Sequence, residues 1–227
     1  MHSMNYADIM KQLKAIGTVQ NRKIYKRHGS GDNVFGVSFK NLRTLGKKIK
    51  VDHELARELW DSGNTDARIL ACMIADPKKI SKDELKSWIK DIDYYVLCDE
   101  FAKSLVMRTP YAEELMIEWM DSEAEYMARA GWTILSLLVL DKKDTRSDNY
   151  YIGYLDRIEK DIHRSKNRTK QAMNNTIISI GIRNESLRDL SLSSADRIGT
   201  VDVDVGQTYC KIPDAREYIE KTWKRKR

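Results

Sequence analysis

The sequence predicts an all-α fold in which antiparallel helix pairs stack into a curved solenoid with a concave binding face. Apolar residues recur at three- and four-residue spacing almost throughout, alternation of strand length is scarce, and helix-start signals are frequent. The spacing places helices over about residues 4–15, 18–28, 38–49, 53–62, 65–76, 82–91, 94–107, 111–120, 123–142, 148–164, 168–182, 185–198 and 214–225. Connections between them are short, which forces consecutive helices to lie as antiparallel neighbours. A dozen helices joined in this way read as stacked pairs, with roughly 30–40 residues per pair, rather than as a closed bundle.

The boundaries have local causes. Gly29-Ser-Gly-Asp-Asn33 is a flexible loop that runs through Val34-Phe-Gly-Val to Ser38, a serine placed to cap the third helix. Asp52 and Asp93 stand where caps are needed for two further helices, and Ser81-Lys-Asp-Glu84 and Ser122-Glu-Ala-Glu125 both match a capping box. Pro77, Pro110 and Pro213 all fall at breaks in the helical pattern. The sole strand-like alternation, within residues 200–213, reads as an extended strap before the last helix. The whole chain, 1–227, reads as one domain, with residues 1–3 as a tag remnant and Met4 as the natural start.

Composition narrows the function. Forty-one per cent hydrophobic and 33% charged residues suit amphipathic helices. The longest apolar run, Trp132–Leu140, is about half of what a membrane span needs, and no signal peptide is evident, so a cytoplasmic protein without membrane contact is expected. Cys72, Cys98 and Cys210 form no CxxC pair, which argues against a disulfide framework and against zinc. Asp202 and Asp204 lack the further oxygen ligands of a calcium loop, so no metal and no cofactor is expected.

The net charge is +6, and its distribution is more telling than its size. Basic residues cluster at Arg22, Lys23, Lys26 and Arg27, then at Lys40, Arg43, Lys47, Lys48 and Lys50. A third cluster holds Arg164, Lys166, Arg168 and Lys170, and a fourth ends the chain at Lys224-Arg-Lys-Arg227. On one shared face the first three clusters form the footprint of a polyanion-binding protein; on separate faces they are solvated helix surface.

Glycine-loop, GxSxG, HExxH and GxGxxG templates are absent, and His2, His28, His53 and His163 have no sequence companions that make a metal or nucleophile site. Asp99 remains as the best-placed acid. It lies four residues after Tyr95, on one face of a helix, with Arg129 on a neighbouring helix. From spacing alone this is either a ligand-facing set or a solvated face beside a core tyrosine.

Five stretches bear a family resemblance: Val34-Phe-Gly-Val-Ser-Phe-Lys-Asn-Leu-Arg43, Leu59-Trp-Asp-Ser-Gly-Asn-Thr-Asp-Ala-Arg-Ile-Leu-Ala71, Tyr95-Val-Leu-Cys-Asp99, Arg129-Ala-Gly-Trp132, and Val203-Asp-Val-Gly-Gln-Thr-Tyr-Cys-Lys-Ile-Pro-Asp-Ala215. In this order they resemble the DNA alkylation-repair glycosylases of the AlkD type, built from HEAT-like helical repeats. The resemblance implies a site of an aspartate, an arginine and two tryptophans on a DNA-binding face. The aspartate falls on Asp99, the arginine on Arg129 and the first tryptophan on Tyr95; the second falls near Asn175, where no aromatic remains. It also adds Arg68 to the DNA-binding set. The implied function is binding of duplex DNA by a monomer, at the nucleoid, and excision of positively charged N3- or N7-alkylated purines. The alternative, favoured by Tyr95 and Asn175, is a DNA-structure binder without glycosylase activity.

Overall fold

The computed structural model describes residues 5–208 and 210–226. The readings of residues 1–4, of Tyr209 in the strap and of Arg227 in the terminal basic run fall outside this range. Among the described residues the chain forms thirteen α-helices and three 3-10 turns, and no strand. Contacts within the chain divide it into two compact units.

The first unit holds the described residues up to Ala112, with Gly206–Thr208. Its helices are α1 (Tyr6–Ile16), α2 (Val19–Arg27), α3 (Phe39–Ile49), α4 (His53–Asp61), α5 (Thr65–Ile74), α6 (Lys82–Trp88) and α7 (Tyr95–Ser104). Helix α5 is central, packing on α3, α4 and α7. Three of the expected caps form: Ser38 accepts from the Asn41 N–H, Asp52 from Leu55 and Ser81 from Glu84. Asp93 is exposed and does not cap; Tyr94 occupies the N-cap of α7.

The second unit holds Glu113–Val205 with the described residues from Cys210 onward. Helix α8 (Ala112–Met120) leads into it, followed by α9 (Glu125–Leu140), α10 (Asp148–Asp161), α11 (Asn167–Gly181), α12 (Glu185–Ile198) and α13 (Ala215–Lys226). The box expected at Ser122–Glu125 is not formed. Ser122 Oγ instead accepts from the Ala124 N–H at 3.0 Å, and α9 starts at Glu125 without a side-chain cap. Glu125 has another use, since its carboxylate accepts the Arg168 N–H at the start of α11.

Helices α9 and α11 are the most closely matched pair in this unit. Ser136 and Ser179 hydroxyls meet at 2.6 Å, and Thr176 Oγ1 donates to the Trp132 carbonyl at 3.1 Å. Gly131 lets α9 close on α8, because a Cβ there would lie 2.7 Å from the Met120 nitrogen. Asp144 ties the far end together, accepting from Tyr151 and from the guanidinium groups of Arg146 and Arg183. Burial works to raise its pKa, but these three donors outweigh it and hold the carboxyl below the ordinary range.

In the first unit the segment between α2 and α3 is fixed by one carboxylate. Asp66, fully buried on α5, accepts the backbone N–H groups of Phe35 at 2.6 Å, Gly36 at 3.0 Å and Val37 at 2.8 Å. Burial raises its carboxyl above the ordinary range, against the pull of these donors. Gly36 has φ +81 and a Cβ there would strike the Thr18 carbonyl oxygen at 2.5 Å, so only glycine fits. The same stretch of backbone accepts from the Thr18 N–H and from the Tyr25 hydroxyl, locking α2 to it. Asp66→Ala strands three donors and is expected to cost about 3–5 kcal/mol in urea unfolding. A loss below about 1 kcal/mol would show that water satisfies these groups.

Candidate nucleic-acid interface

Tyr95 and Asp99 are placed as the spacing implies. Tyr95 is the first residue of α7 and Asp99 follows one turn later, and both are partly exposed. Tyr95 is braced from α2: its hydroxyl lies 2.7 Å from Nδ1 of His28, the C-cap residue of that helix. Tyr94 lies edge-on to the Tyr95 ring and 6.3 Å from Tyr25, so an aromatic cluster joins the end of α2 to the start of α7. His28 had no signal in the sequence, because its partner is 67 residues away.

Arg129 belongs to the second unit and is buried, 2% exposed. Its Nη1 donates to the Arg168 carbonyl at 2.9 Å and to Gln171 Oε1 at 3.1 Å, both at the start of α11. Asn175 lies on α11, partly exposed, beside the buried Asn174, whose amide donates to the Pro213 carbonyl.

The basic clusters differ in what their charges meet. In the first unit Arg22, Lys23, Arg27, Lys40, Arg43, Lys47 and Lys48 are exposed, and none of the seven is in an ion pair among the described residues; Lys26 is paired, with Asp32 at 2.6 Å. Arg43 lies over the Phe39 ring, 5.6 Å from its centroid. Arg68 is largely committed to structure: it donates to the Trp60 and Asp91 carbonyls, faces the Asp91 carboxylate at 3.6 Å and covers the Trp60 ring. That ring stacks on Trp88 at 4.3 Å.

In the second unit Arg164 pairs with Asp161, Lys166 donates to the Glu123 carbonyl at 2.6 Å, and Arg168 donates to Gln171 at 3.1 Å. Lys170 is partly exposed. Among the described residues no group of three or more His, Cys, Asp or Glu side chains is arranged to hold a metal. No helix among them is long and apolar enough to cross a membrane.

A packed array of short helices that exposes, among the described residues, several lysines and arginines outside any ion pair has the surface character of a polyanion-binding protein. The chain belongs to the DNA alkylation repair enzyme family, whose model matches residues 9–218. It is similar over 99% of its length to a solved structure with a TM-score of 0.90 and 32% identity, 96% of which is covered. That structure is described as a new family of proteins related to the HEAT-like repeat DNA glycosylases with affinity for branched DNA structures. Uncharacterized proteins of Listeria innocua (Lin0241) and Listeria monocytogenes (Lmo0209) are each 27% identical over 217 residues, covering 92% of this chain and 93% of theirs. The fold is thus an all-helical HEAT-like one.

The burial of Arg129 has a measurable consequence. Arg129→Ala removes two hydrogen bonds at the start of α11 and is expected to cost about 2–4 kcal/mol of stability. An exposed change such as Lys23→Ala should stay within about 0.5 kcal/mol. Chemical denaturation of both variants distinguishes a structural arginine from a surface one; equal small losses would put Arg129 in the second class.

Proposed function

We propose that this protein binds DNA through the exposed cations of α2 and α3 and recognises branched DNA. The observation that carries this reading is the set of seven cations, in no ion pair among the described residues, on two helices joined by the segment that Asp66 clamps. Lysine and arginine that face no carboxylate are neutralised best by phosphates, whose counterions are released on binding. Contacts of this kind fix register on a backbone and do not read sequence. The described affinity of the similar solved protein for branched DNA supports a preference for DNA structure. Two features of the site agree with binding as its principal role. No aromatic stands near Asn175 in the sequence, where the family resemblance implies one, and Arg129 is engaged with α11.

Salt dependence tests it. The logarithm of the binding constant should fall linearly with the logarithm of salt concentration, with a slope near −6 if all seven cations meet phosphates, estimated at about 0.9 per contact. Arg22→Ala/Lys23→Ala should make the slope shallower by about 1.8. A flat dependence, or a slope unmoved by this double change, contradicts the assignment.

A second reading, excision of cationic alkylated purines, is favoured by Asp99. Its carboxylate is partly exposed one turn from a tyrosine braced by His28. An N3- or N7-alkylated purine carries a positive charge. When the C1′–N bond breaks, the base leaves neutral with the bonding electrons and the sugar becomes an oxocarbenium ion. A carboxylate beside the sugar stabilises that charge, and water then adds at C1′ and releases a proton. The Tyr95 ring supplies an electron-rich face to the same cation. Under this reading Asp99→Asn lowers base release from N7-methylguanine duplex about a hundred- to a thousandfold while binding stays the same or tightens. Release from wild type and variant at equal rates refutes the role of Asp99, and no release from either leaves binding as the function.

A further inference from the structure

The first unit contains a groove of about 510 Å³ that crosses α3, α5 and α7. One wall carries Arg43, Lys47 and Lys50; the other carries Lys103 of α7 and Arg108 of the 3-10 turn after it. None of these five cations is in an ion pair among the described residues. The floor is apolar at Met73, and Val51, 53% exposed, stands at the rim. One carboxylate lines the groove, Glu100, which is 9% exposed and accepts a hydrogen bond from the Ser104 hydroxyl. The cavity of the second unit differs: of its three cations, Arg157 and Arg164 are paired with Asp121 and Asp161, and Lys166 donates to the Glu123 carbonyl.

We propose that this groove holds a single-stranded DNA segment, the unpaired arm of a branched structure; this rests on the DNA-binding reading above. Cationic walls that face each other across an apolar floor suit a strand whose phosphates follow the rims while its bases lie inward. The volume falls within the roughly 300–1,000 Å³ of pockets that enclose small ligands, which admits a short stretch of strand. Glu100 repels phosphates from the floor and accepts from the amino groups of bases, which sets the same orientation.

Lys50 adds an independent sign. It is the sole non-glycine residue with positive φ among the described residues, at φ 71, and it lines this groove. Lys50 ends α3, its N–H bonding the Gly46 carbonyl, in a backbone conformation that glycine would occupy without a steric penalty; the residue found there instead carries a cation to the mouth of the groove.

The test compares the intact protein on four labelled DNAs by fluorescence anisotropy: a linear duplex, a single strand, a flap with an unpaired arm, and the same junction with that arm paired. Wild type is expected to prefer the flap to the fully paired junction. Lys103→Ala/Arg108→Ala should weaken flap binding about tenfold or more, reduce its salt slope by about 1.4 at roughly 0.7 per strand phosphate, and leave the paired junction nearly unchanged. Both residues are exposed, and an unaltered thermal melt of the variant confirms that it folds. Lys50→Gly should raise the melting temperature while weakening flap binding. Equal losses on flap and paired junction, or no loss on the flap, overturn the groove assignment while the DNA-binding reading stands. Wild type that binds none of the four overturns both.

Discussion

The first unit depends on one buried carboxylate. Asp66 gathers three successive N–H groups from a segment that belongs to neither a helix nor a strand, and so replaces the hydrogen bonds that regular structure supplies. Removal of a carboxylate from water is costly, and the three donors make its burial tolerable. Around this point Asn33 binds Asn64 and Thr65, Gly36 meets the start of α2, and Val37 receives the Tyr25 hydroxyl. A loop that would otherwise be flexible becomes a rigid bracket between α2, α3 and α5.

The proposed function draws on that rigidity. The bracket fixes where α2 and α3 present their cations, and through His28 at the end of α2 it reaches the Tyr95 ring beside Asp99. On the proposed reading, charges held on rigid helices would meet phosphates without a large ordering cost, which would favour binding that depends on DNA geometry. The second unit uses its polar groups differently. Arg129, Arg168, Lys166 and Arg164 hold helix ends, and Asp144 draws Arg146, Arg183 and Tyr151 together.

Much of the helical plan was legible in the sequence because it is set locally. Thirteen helices follow from apolar spacing, and Ser38, Asp52 and Ser81 cap as their positions indicate. The failures at Asp93 and Ser122 have a tertiary cause: Tyr94 is drawn into the aromatic cluster, and Glu125 is taken by α11 before it can reach back to its own helix. The candidate site was legible only in part. Tyr95 and Asp99 share a helix, so their spacing sufficed. Whether a lysine or arginine is uncompensated depends on partners far away in sequence, as with Lys166 and Glu123 or Arg68 and Asp91. No charge count separates these from Lys47 or Arg43. The groove of α3, α5 and α7 was hidden for the same reason, since Lys103 and Arg108 lie outside every basic cluster of the sequence.

The central claim is that exposed, unpaired cations of the first unit, and not the structurally engaged ones of the second, meet the DNA backbone. Amide hydrogen exchange read by mass spectrometry, with and without a three-way DNA junction, tests it most directly. The account predicts slowed exchange at residues 19–27 and 39–50, with little change at residues 164–170, where Arg164, Lys166 and Arg168 already meet Asp161, the Glu123 carbonyl and Gln171. Protection concentrated at residues 164–170, with α2 and α3 unchanged, would contradict it.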